Sequence, residues 1–390
     1  MRFVTTVVAV ASMLGGGTAL ADNEPRLEVR FCPAGQLRPY PAESRRNIQS
    51  LVLQNVAILN RGTATAEVSE VDFELTQGEE ATDIRRIRGA ELQRLAVSGP
   101  KVQASGLLQL IPFQFCGTEL IPEGVVLAGP VLQPNQAMLF TYQPFLYKGQ
   151  RDALRLRVHA RSGELVAEAD AVLPIRSGVA KTSFVFPVTG TWFVAVGPTL
   201  HTGHRWGLAE EFGFDLAQLG AGTSSHRGAG GHFSDYYAYG KPVRAAAAGR
   251  VRAVVNDVAE DPKTLRRAGE SDETYGQRVQ QLQMELLAKG GAAAAGNYVL
   301  IGHGSAEYSL YAHLQPGSVA VKAGDMVESG QLLGRVGSSG NSTEPHLHFQ
   351  VCDQPEPLSC AGIPVDFQGI ALPYADYLRP LQSGDIVVAQ

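Results

Sequence analysis

The residues of this 390-residue chain that could do chemistry are concentrated in its second half. Of nine histidines, only His159 lies outside the span from His201 to His348. The sharpest local pattern is Ser339 to Val351, Ser-Gly-Asn-Ser-Thr-Glu-Pro-His-Leu-His-Phe-Gln-Val. It opens as a polar turn, and Pro345 stops any helix and delivers the chain into an extended segment. On a strand, side chains two apart share a face, so His346, His348 and Gln350 point one way and Leu347, Phe349 and Val351 the other. Two imidazoles ~7 Å apart on one surface can divide labour, one binding a metal and the other acting as acid or base.

The elements around this pair read as short strands with glycine corners. Asn297–His303 is an apolar strand. Tyr308–Leu314 alternates, with Leu310 and Ala312 on the face opposite Tyr311 and His313. Arg244 to Val251 reads as a strand, a tight glycine turn and a second strand. The stretch from Val319 to Gly334 completes a compact β-roll. Residues 258–289 interrupt these strands. They are charged, and Tyr275, Val279, Leu282 and Leu286 mark one face of a helix, so the segment reads as a helical surface insertion. The Gly290–Gly296 tract serves either as a hinge or as a tight-packing segment.

The first half differs. Leu27–Phe31, Gln49–Leu59, Ala66–Leu75, Ala137–Tyr142, Ala153–His159 and Leu165–Leu173 are strand candidates divided by turns, among them Asn60-Arg61-Gly62. Such spacing predicts a β-sandwich, with a helical interruption around 88–98. No catalytic constellation falls here. The chain is therefore expected to be mainly β, with an N-terminal signal over 1–21, a β-sandwich-like domain over 22–180 and a second domain over 181–390, joined by a linker near Ser177–Ser183.

The signal reading rests on Arg2, an apolar run from Phe3 to Leu14, and Ala19-Leu20-Ala21 as a small-x-small cleavage site. It implies export to a periplasmic or extracellular setting, with no integral membrane segment after its removal. Export permits disulfides, and the cysteines fall two to a domain, so Cys32 is expected to pair with Cys116 and Cys352 with Cys360. The composition, 44% hydrophobic with 43 glycines, suits a strand- and turn-rich protein, and a net charge of −5 with no basic cluster argues against nucleic acid.

Tyr311-Ala312-His313-Leu314, the Val-x-x-Gly-x-x-Val-x-x-Gly run from Val321 to Gly330, and Gly337–Phe349 resemble the lysostaphin/LytM-type M23 zinc metallopeptidases. Tyr239–Val243 and Gly249–Val251 match in the same order. The resemblance covers roughly 190–365 and implies one Zn2+ per chain, held by His, Asp and His, and peptide-bond cleavage in peptidoglycan. Carried over by position, it makes His348 and Asp215 metal ligands and His313 and His346 catalytic. The remaining ligand is His204, with His201 as rival. Many members place that histidine four residues before the aspartate, whereas His204 precedes Asp215 by eleven. The leading expectation is thus an exported zinc metalloendopeptidase. The alternative is a non-enzymatic regulator on the same fold that binds and activates wall hydrolases. Members of that kind have typically lost metal ligands, and this chain retains a full candidate set.

Overall fold

The computed structural model describes residues 25–122 and 125–390, so the 1–21 signal lies outside the described residues. The chain divides into two compact units, one ending at Ser177 and the other beginning at Gly178. Both are built mainly from β-strands, as expected. Among the described residues no helix is long and apolar enough to cross a membrane.

In the first unit two five-stranded sheets face each other. One is centred on Ile48–Asn60 and Gln136–Lys148, the other on Ala66–Gln77 and Ala153–Ser162. Alternate residues of both, such as Val56, Ile58 and Phe140 from one and Val71, Phe73 and Leu156 from the other, form a single core. This is the sandwich that the alternation predicts. Asn60-Arg61-Gly62 is an Asn-led turn, with the Gly62 N–H donating to Asn60 Oδ1 at 3.0 Å. It does not close a hairpin, because the strands on its two sides belong to different sheets. The predicted helix is present as Gly89–Ala96, burying Leu92 and Ala96. Cys32 and Cys116 form a disulfide.

The second unit is organised on a nine-stranded antiparallel sheet. Its central strand is Leu347–Cys352, flanked by Tyr308–Ala312 and Phe214–Ala217. Leu347, Phe349 and Val351 are fully buried in the core with Phe214, Leu216 and Tyr311, while His348 and Gln350 point to the opposite face. Burying each such apolar side chain contributes about 1.5–3 kcal/mol, which pins the register and hence the histidine face. Pro242–Arg244 and Gly249–Val255 are both strands but not partners. The first pairs with Leu332–Arg335 in a separate ladder, and the second lies in the main sheet. Ala245, Ala246 and Ala247 bury between them, which a hairpin turn could not do. The expected linker is only partly free-running: Lys181 and Thr182 donate their N–H groups to the Glu307 carboxylate at 2.6 and 2.8 Å. Cys352 and Cys360 form the second disulfide.

The insertion contains a helix, Asp272–Leu287, capped by the Ser271 hydroxyl accepting from the Thr274 N–H. No residue of this helix is fully buried. Val279, Leu282 and Leu286 line a small cavity with Gly340 to Thr343, so the apolar face lies on the loop that leads into His346. The tract after it is a tight-packing segment rather than a hinge. It forms a short helix, Gly291–Ala295, and ends at Gly296. Gly296 and Gly340 have φ of 66° and 75°, and an added Cβ would meet Ser339 backbone atoms at 2.5 Å and the Ala294 carbonyl at 2.4 Å respectively.

Gly340→Ala is expected to destabilise the fold by about 3 kcal/mol, from backbone strain plus the close approach, while Gly324→Ala, where φ is 95° and nothing lies within 4 Å, costs only about 1–2 kcal/mol. Urea unfolding of both variants checks this. Equal losses would mean that the approach of the two loops is not tight.

Candidate metal and catalytic centre

The three-strand register builds the site. Asp215 and Ala312 both lie directly opposite His348, on the face away from the core. Asp215 Oδ1 is 2.9 Å from His348 Nδ1. His204 reaches the same carboxylate from a 3-10 turn, Gly203–Trp206, its Nε2 3.2 Å from Asp215 Oδ2. One donor atom from each of His204, Asp215 and His348 lies within 4.8 Å of the others, a spacing that a metal ion could bridge. His201 is exposed and is not part of this cluster.

The eleven-residue separation is accommodated by a closed loop. Glu211, four residues before Asp215, turns away and pairs with the fully buried Arg205 at 3.1 Å. The Arg205 guanidinium also lies over the Phe212 ring, 5.1 Å from its centre. Gly213 permits the rings to crowd together, since a Cβ there would sit 3.2 Å from His348 Cε1 and 3.4 Å from His204 Nδ1.

His346 and His313 complete the cluster. His346 Nε2 is 3.4 Å from Asp215 Oδ1. The His313 ring centre is 4.9 Å from that of His346 and 5.8 Å from that of His348. Strand alternation predicts His313 on the face of Tyr311, away from His348, and this is where the structure departs from the pattern. The strand ends at Ala312, and His313 has φ of 61°. That left-handed residue reverses the alternation and brings the ring to the histidine side. Ala294, Ala295, Leu310, Ala312 and Leu358 give the adjoining pocket an apolar lining, with Glu210 as its one carboxylate.

Charge is arranged around Asp215. Burial pushes its carboxyl upward, but the charges of His204 and His346 outweigh this and hold it well below the carboxylate range. Burial disfavours the His204 imidazolium, yet Asp215, with Glu210 adding less, raises it to about 9. His346 is likewise raised, burial being overcome by Asp215. His313 is held well below its ordinary value by burial and then by His346 and His348. Neighbouring rings are thus pushed in opposite directions, His313 toward the neutral form and His346 toward the cationic form.

The other histidines lie apart from this chemistry. His303 bridges the Ala248 carbonyl and the Ser309 hydroxyl at 2.8 Å each, and the His226 ring lies tilted against Tyr236, ring centres 5.2 Å apart. In the first unit Glu70, Asp72 and His159 cluster on the sheet face opposite the core, but Arg86 and Arg88 are interleaved at 3.5–3.9 Å as an ion-pair ladder. Sequence reasoning missed the carbonyls of Gly213, Ser339 and Glu344, which hold three of the rings. Backbone acceptors leave no signal in side-chain identity.

Residues 276–360 match Peptidase family M23. This stretch includes His313, His346 and His348 but not His204 or Asp215. The chain is similar to the peptidoglycan DD-endopeptidase ShyA of Vibrio cholerae serotype O1, 40% identical over 73 residues, 18% of this chain and 16% of that one. It is similar to the DD-carboxypeptidase/endopeptidase Mpg of Neisseria meningitidis serogroup B, 39% identical over 88 residues, 23% of this chain and 18% of that one. The matches therefore span less than a fifth of the length of these relatives. Among solved structures, the catalytic domain of lysostaphin from Staphylococcus simulans aligns with a TM-score of 0.24 and 19% identity, over 45% of this chain and 88% of that one.

The linkage of charge and stability is testable in the metal-free protein. His204 is raised from 6.5 to about 9, so its contribution is complete below pH 6.5 and lost as pH rises through about 9. Asp215 is lowered from 3.8, so its contribution is present above that pH and lost as pH falls further. Urea melts in chelator should show stability falling between pH 6.5 and 9.5. A flat profile over that range would remove the Asp215–His204 pair as its cause.

Proposed function

We propose that this chain, which carries an M23 peptidase segment over 276–360, is an exported zinc metalloendopeptidase that hydrolyses peptide bonds in bacterial peptidoglycan. The observation that carries the reading is the convergence of His204, Asp215 and His348 beside two further imidazoles. Two neutral imidazoles and one carboxylate are a donor set suited to catalytic zinc, which leaves a position open. The distal nitrogens of both candidate ligand rings already have acceptors, as ligating histidines require. Zinc held there would supply Lewis acidity, polarising the scissile carbonyl and acidifying water.

The chain's own groups do the remaining work. Asp215 offsets positive charge at the centre. His313 gives its Nδ1–H to the Ser339 carbonyl at 2.9 Å, which leaves Nε2 free to take a proton from attacking water. His346 gives its Nδ1–H to the Glu344 carbonyl at 2.7 Å, and its protonated Nε2 steadies the developing oxyanion or protonates the leaving amine. The apolar pocket beside them accommodates small side chains of a stem peptide. Two disulfides fit the oxidising setting that the N-terminal signal implies.

Zinc-loaded protein should release un-cross-linked stems from purified peptidoglycan, read by mass analysis of the fragments. Asp215→Ala and His348→Ala are expected to lose both zinc and activity. His313→Ala and His346→Ala should keep zinc and lose activity by roughly a hundredfold or more. Stoichiometric zinc in Asp215→Ala would sink the ligand assignment, and a zinc-loaded parent inert at every pH would favour the regulator.

A further inference from the structure

Every ring around Asp215 has one nitrogen taken by a hydrogen-bond acceptor. For His204, His313 and His346 that acceptor is a backbone carbonyl, of Gly213, Ser339 and Glu344, with the ring Nδ1 at 3.1, 2.9 and 2.7 Å. For His348 it is a side chain: Nε2 lies 2.8 Å from Gln350 Oε1. Gln350 is 1% exposed, so no solvent substitutes for either end of its amide. The other end faces the second disulfide, with Nε2 3.2 Å from Cys352 Sγ and 3.8 Å from Cys360 Sγ.

We propose that Gln350 is a positioning residue of the metal centre, holding the His348 ring and its Nε2–H so that Nδ1 alone faces Asp215 and the metal, and that the Cys352–Cys360 disulfide fixes the direction of its amide. The argument is one of donors and acceptors. A side-chain amide can turn over, exchanging oxygen for nitrogen. Turned over, Gln350 would offer N–H groups to His348 Nε2, which would then have to be the unprotonated nitrogen. The ring proton would move to Nδ1, into the space between His348 and Asp215, and block ligation there. Disulfide sulfurs carry no proton and can only accept. An amide nitrogen beside them is matched, whereas a carbonyl oxygen beside them would meet lone pairs. Burial makes that mismatch costly, because an unmade hydrogen bond there is not replaced by water. The disulfide thus selects the amide direction, the amide selects the imidazole nitrogen, and the ring is kept from rotating.

The inference rests on the proposed metal centre, and its test separates the two. Gln350→Met retains volume and removes the acceptor. Gln350→Glu retains an acceptor toward His348. Zinc affinity is measured by competition with a chelating dye, the His348 imidazole is followed by 15N–1H NMR, and thermal unfolding in chelator confirms that each variant is folded. The parent is expected to show a slowly exchanging His348 Nε2 proton. In folded Gln350→Met that proton should exchange fast and zinc affinity should fall roughly 10- to 100-fold. Gln350→Glu, which keeps that acceptor but turns a second oxygen toward the disulfide sulfurs, should lose distinctly less affinity than Gln350→Met. A Met variant that binds zinc like the parent, or equal losses in the two variants, would overturn the positioning role. A parent with the slow Nε2 proton that takes up no zinc would overturn the metal centre, while a parent without that proton would overturn the hydrogen bond itself.

Discussion

The second unit depends on how the charge of Asp215 is balanced. Three imidazole nitrogens lie within 3.4 Å of its two oxygens. A carboxylate on a largely dry sheet face is unfavourable unless opposite charge or hydrogen bonds surround it. In the metal-free chain, raised protonation of His204 and His346 answers that need.

That balance works only if the rings cannot wander, and the surrounding backbone restrains them. The Ala295 carbonyl accepts from the His313 N–H at 3.1 Å, and the His313 carbonyl accepts from Gly337 at 3.0 Å. These bonds hold a left-handed residue whose conformation costs about 1–2 kcal/mol by itself. Asn297 ties the same region together, donating to the Val258 and Leu314 carbonyls at 2.8 and 3.1 Å. The insertion is therefore joined to the loops that carry His313 and His346. Glu260 reinforces this by accepting from Ser338 N–H and the Tyr239 hydroxyl at 2.8 Å each.

Much of this was legible in the chain. Alternation from His346 to Val351 placed its two faces correctly, because the apolar set is continuous and only one register buries it. The same rule failed at His313, where one left-handed residue cancels it, and no local residue type announces that turn. The insertion helix was visible from Val279, Leu282 and Leu286, but its resting place on Gly340 to Thr343 was not. Packing partners far apart in sequence leave no periodicity.

The sequence by itself determined the strand-rich class, the two cysteine pairs and the apolar faces that set each register. The class and the faces follow from local spacing and from burial, and the cysteine pairs from there being two cysteines in each domain. Only the tertiary structure decided that His204 rather than His201 stands beside Asp215, that Glu211 turns to Arg205, and that Gln350 lies between a histidine and a disulfide. These arrangements depend on distances between segments brought together by the fold, and spacing along the chain does not encode such distances.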